Sequence, residues 1–96
     1  MTAKRGATAR PRVEPDADTP LSDEEFARGL AAVLARRARA ATGLSQSAFA
    51  ARYGVSAASL KDWEQGRRVP DVATRSYLRV IARIPEAVAK ALSDAA

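Results

Sequence analysis

Cysteine and histidine are both missing from this 96-residue chain. Without cysteine there is no disulfide framework, thiolate metal site or thiol nucleophile. Without histidine the commonest general base and a usual zinc ligand are gone as well. The carboxylates read as solvated, with no matched pair at catalytic spacing, so neither an enzyme nor a cofactor or metal site is expected. Long apolar runs are lacking too. No stretch approaches membrane-spanning length, and the N-terminus has no signal-peptide core, which points to a cytoplasmic protein without a membrane partner. No internal repeat and no useful strand pattern is present.

What the chain has in quantity is positive charge. Its 16 lysines and arginines against 11 acids give a net charge of +5, which favours an anionic partner such as nucleic acid. The signs are segregated. Up to Val13 the only charges are Lys4, Arg5, Arg10 and Arg12; from Glu14 to Glu25 all are acidic; from Phe26 to Arg52 they are Arg28, Arg36, Arg37, Arg39 and Arg52. One edge of the folded part should therefore be positive.

The chain divides near Pro20. Residues 1–20 combine prolines 11, 15 and 20 with small and charged residues and have almost nothing to bury, so a disordered arm is expected there, followed by a folded domain over 21–96. Ser22 with Glu25 three residues later forms a capping-box pattern, and Phe26, Leu30, Val33, Leu34 and Ala38 recur at helical spacing. This predicts a long first helix ending near Gly43. Further on, Asp71 can cap a helix carrying Val72, Tyr77, Leu78, Ile81 and Ile84, and Pro85 opens a last one with Val88, Ala91 and Leu92 on one face.

Between them lies the segment that points to a function. Residues 46–65, QSAFAARYGVSAASLKDWEQ, read as two short helices hinged at Gly54, capped by Ser45 and Ser56. A glycine at the hinge can adopt the left-handed conformation that a sharp helix exit requires. Phe49, Ala50, Val55, Leu60 and Trp63 supply the apolar seam, with Trp63 expected in the core. Two helices in this relation make the helix-turn-helix layout, whose second helix enters a DNA major groove. The predicted architecture is all-α, with five helices around one core.

Gln46, Ala50, Gly54, Val55, Ser56, Leu60, Trp63, Glu64 and Gly66 stand at the spacing of the Xre/Cro/C1-type helix-turn-helix family, which the chain resembles from about Phe26 to Leu92. The resemblance implies a five-helix lambda-repressor-like domain. WEQGRRVPD and LRVIARIPEAV are similar to the HigA-like antitoxins of type II toxin-antitoxin systems. That likeness implies a DNA-binding antitoxin that represses its own operon and neutralises a co-encoded RelE/HigB-like ribonuclease toxin. It leaves open a stand-alone Xre-type repressor, and the alanines at 57 and 58 keep open a protein-binding adaptor.

By position, the resemblance places Gln46, Ser59, Gln65, Gly66, Arg67 and Arg68 at DNA phosphates, and Ser56, Ala57, Ala58, Lys61 and Asp62 at base edges. Ala57 and Ala58 offer only methyl contacts, so hydrogen-bonded readout falls on Lys61 to guanine and Asp62 to cytosine, with DNA shape supplying the rest. The family reads paired half-sites on a double-stranded operator as homodimers. Ile84, Val88 and Leu92 are the expected dimer surface, with packing onto the domain's own core as the alternative. Asp23, Glu24 and Glu25 are accounted for by helix capping, whereas Glu14, Asp16 and Asp18 are candidates for binding the basic toxin.

Overall fold

The computed structural model describes residues 20–94. Five helices follow one another: α1 (Asp23–Thr42), α2 (Gln46–Tyr53), α3 (Ala57–Glu64), α4 (Val72–Arg83) and α5 (Pro85–Asp94). There is no strand among the described residues. The all-α, five-helix reading of the sequence holds. Residues 1–19, assigned above to an arm, lie outside the described residues.

Four of the five helices, α1 to α4, begin where a side chain provides an acceptor for an unpaired N–H group. Ser22, Ser45, Ser56 and Asp71 accept from the backbone N–H of Glu25, Ala48, Ser59 and Thr74. At Ser22 the box closes, because the Ser22 N–H donates back to Glu25 at 3.0 Å. These bonds hold the Glu25 and Asp71 carboxyls below their ordinary range, through Ser22 and Thr74 respectively. Two ends differ slightly from the sequence reading. Helix α3 stops at Glu64 with Gln65 as its cap, and Ile84 caps α4 rather than belonging to it.

The core gathers Phe49 and Tyr53 of α2, Leu60 and Trp63 of α3, and Leu78 and Ile81 of α4 against α1. Trp63 lies in this core as expected. Here α1 departs from its sequence pattern. Its buried face is the alanine stripe Ala31, Ala35 and Ala38, while Phe26, Leu30 and Val33 are 58%, 56% and 51% exposed. Small residues let α3 and α4 pack closely on α1, and the large side chains of the other helices fill the volume. Of the stripe that helical spacing selects, only Ala38 is buried, and Leu34 in part.

Two tyrosines bind the ends of the bundle to the central motif. Tyr53 packs on Phe49 with ring centroids 4.9 Å apart, and its hydroxyl donates to the Pro85 carbonyl at 2.9 Å. The Tyr77 hydroxyl donates to the Tyr53 carbonyl at 2.6 Å, capping the end of α2. Burial pushes the Tyr77 phenol above its ordinary range.

If the alanine stripe sets the distance between α1 and its neighbours, Ala35→Leu should overpack the core and cost about 1–3 kcal/mol in urea unfolding. Val72→Ala, at a side chain 67% exposed, should stay within about 0.5 kcal/mol of wild type.

Candidate nucleic-acid interface

Helix α2 turns into α3 at Gly54, whose φ of 75° is left-handed. The Ala50 carbonyl accepts from both Gly54 and Val55, at 3.0 and 3.1 Å, which closes the turn tightly. Two residues after Gly54, Ser56 caps the start of α3. Leu60, Trp63 and Glu64 form the buried face of that helix, so its opposite face is outward. On that face Ser56, Ala57, Ala58, Lys61 and Gln65 are exposed, while Ser59, Asp62 and Gly66 are half-buried. Ser45, the cap of α2, and Gln46 and Ser47 in its first turn stand beside Ala57, Ala58 and Lys61 around a shallow open depression.

Beyond α3, Gly66 takes φ 72° and turns the chain so that Arg67 and Arg68 return toward the helix. Arg68 reaches Asp62 at 3.4 Å and donates to the Ser59 hydroxyl at 3.0 Å. Arg67 lies 4.0 Å from the same carboxylate. Asp62 therefore carries two guanidinium neighbours, and Ser59 spends a lone pair on Arg68. Lys61 forms no ion pair among the described residues. The rim of α3 is thus cationic, with its negative charge internally matched.

Beneath this surface is a group that sequence reading placed wrongly. The carboxylates were expected on solvated faces, yet Glu64 is 4% exposed. Arg39 of α1 holds it in a two-pronged bond, Nε to Oε2 at 2.7 Å and Nη2 to Oε1 at 3.0 Å, and Gln46 Nε2 donates to Oε1 at 3.1 Å. The third arm of the Arg39 fork reaches the Leu44 carbonyl at 3.1 Å. A buried carboxylate survives only with such partners. Burial opposes its ionisation, but the bonds from Arg39 and Gln46, with the charges of Arg39 and Arg36, outweigh that and hold the carboxyl below its ordinary value. The signal was present, since Glu64 follows Leu60 by four residues and falls on the same helical face as that core leucine.

Gln46 is consequently positioned from inside, with one amide N–H committed to Glu64. Val88 of α5 is half-buried and packs against the core, whereas Ile84, the C-cap of α4, and Leu92 of α5 are 52% and 43% exposed. The expected dimer stripe is therefore split between core and surface. Glu14, Asp16 and Asp18 lie outside the described residues. Among the described residues no acidic cluster is arranged to hold a metal ion, and no helix is long and apolar enough to cross a membrane.

The family model for a helix-turn-helix domain matches residues 30–92, more than half of the chain. No curated protein and no solved structure compared with the chain gave a match.

Breaking a buried pair costs about 3–5 kcal/mol when one charge is stranded. Arg39 keeps 31% side-chain exposure, so solvent screening reduces the expected cost of Glu64→Ala to about 2 kcal/mol. Because folding lowers the Glu64 pKa, its contribution is complete above its unfolded value, near 4.5, and disappears as pH falls through the folded value. Thermal melts taken downward from about pH 6 should lose more stability in wild type than in Glu64→Gln.

Proposed function

Because the chain belongs to the helix-turn-helix domain family, we propose that it is a sequence-specific, double-stranded-DNA-binding regulator that inserts α3 into the major groove. The observation that carries this reading is the outward, cationic-rimmed face of α3, aimed by the buried Glu64 and open from Ser56 to Gln65. Lys61 reads a guanine edge, the methyls of Ala57 and Ala58 contact thymine methyls, and Ser56 and Asp62 line the same edge. Because Asp62 is held by Arg67 and Arg68, its cytosine contact requires those arginines to shift to flanking phosphates. Gln46, Ser59, Gln65, Gly66, Arg67 and Arg68 contact the sugar-phosphate backbone and fix the register.

A single α3 spans only a few base pairs, so the protein acts as a homodimer on half-sites about 34 Å apart. In this reading it works in the cytoplasm without metal, cofactor or catalytic step and represses its own promoter. The likeness of WEQGRRVPD and LRVIARIPEAV to HigA-like antitoxins supports a second activity, neutralising a co-encoded ribonuclease toxin of RelE/HigB type. Glu14, Asp16 and Asp18 would meet the basic RNA-binding surface of that toxin.

Titrating a labelled fragment of the protein's own promoter at two salt concentrations tests the DNA reading. Lys61→Ala should cost about 1–3 kcal/mol at one base position, and Arg67→Ala should weaken all sequences alike and lower the salt slope by about 1. Unchanged binding in both variants would contradict the contact assignment. Co-expression with the adjacent gene decides the antitoxin activity: a stable complex that relieves growth arrest supports it, and no complex leaves a stand-alone repressor.

A further inference from the structure

The face of α1 opposite its alanine stripe is unpartnered. Phe26, Leu30, Val33 and Arg37 follow one another at spacings of four, three and four residues, the pattern of a coiled-coil seam. The first three are the large side chains that the core leaves outside. Beside them runs a groove between α1 and α4, floored by Leu30, Val33 and Val69 and edged by Arg37, Arg75 and Arg79. No carboxylate lines it, and none of the three arginines has an ion pair among the described residues. Arg75 is steadied by donating to the Pro70 carbonyl at 2.7 Å. The surface calls for an apolar helix with acids next to a bulky side chain.

The chain carries such a helix itself. The first turn of α1 is acidic, with Asp23, Glu24 and Glu25 next to Phe26. Glu25 is committed to the Ser22 cap and Glu24 to Arg28 at 3.6 Å, while Asp23 has no ion pair among the described residues. We propose that the occupant is a second copy of this chain, with the two α1 helices antiparallel about a two-fold axis between Leu30 and Val33. In that register Phe26 meets Arg37 of the second copy, Leu30 meets its Val33, and Asp23 lies within reach of its Arg37. Each contact occurs twice, as an isologous interface requires. The aromatic face of Phe26 under a guanidinium adds a cation–π contact. Three guanidinium groups would repel any other cationic surface, which gives the groove its preference for the acidic end of α1.

This inference deepens the homodimer of the proposed function by assigning its interface to α1, and it rests on that reading. Sedimentation of the full chain over about 5 to 100 µM should give a reversible dimer of micromolar strength, as a seam this short implies. Leu30→Asp should give a monomer with unchanged helical circular dichroism, because the side chain is not in the core. Asp23→Arg and Arg37→Asp should each weaken the dimer about tenfold, since each loss is felt twice across the axis, and the double reversal on one chain should restore most of it. Dimer strength that is unchanged by Leu30→Asp but abolished by Ile84→Asp overturns the α1 interface and leaves the homodimer standing. A wild-type chain that stays monomeric throughout overturns both.

Discussion

Among the described residues one buried carboxylate joins the three helices that build the candidate interface. Glu64 ends α3, Arg39 comes from α1, and Gln46 opens α2. With both oxygens bonded, this carboxylate fixes the tilt of α3 against α1 and orients the first side chain of α2. Hydrophobic contact alone would not be so exacting, because apolar surfaces tolerate sliding where hydrogen bonds to a buried charge do not. The outward face of α3 inherits its position from this inward network.

Local chemistry fixed the elements well. Serines at 22, 45 and 56, Asp71, and glycines at 43, 54 and 66 punctuate the chain so strongly that helix ends read from them fall within a residue or two of the observed ones. Capping and left-handed exits depend on neighbours in sequence and are therefore legible there. What sequence could not supply was the choice between two apolar faces of α1. Helical periodicity favoured the larger side chains at 26, 30 and 33, whereas the fold buried the alanines at 31, 35 and 38. That choice depends on how closely α3 and α4 must approach, a property of the assembled bundle.

The same distinction runs through the candidate interface. Exposure along α3 follows from its period and from the burial of Leu60 and Trp63, so the outward residues were legible from spacing. The pairing of Asp62 with Arg67 and Arg68, and the burial of Glu64, required the loop after Gly66 and the packing of α1. Charge proved more informative by placement than by sum. Internal matching leaves Lys61 as the cation on the outward face of α3 without an ion pair among the described residues.

The proposed docking of DNA on the outward face of α3 is open to direct test. The most direct measurement is amide chemical-shift mapping of isotope-labelled protein titrated with a duplex from its own promoter. If DNA docks there, the largest shifts fall from Ser56 to Asp62, with further changes at Gln46 and Arg67. Shifts confined to α5 or to the outer face of α4, with α3 unmoved, would contradict it.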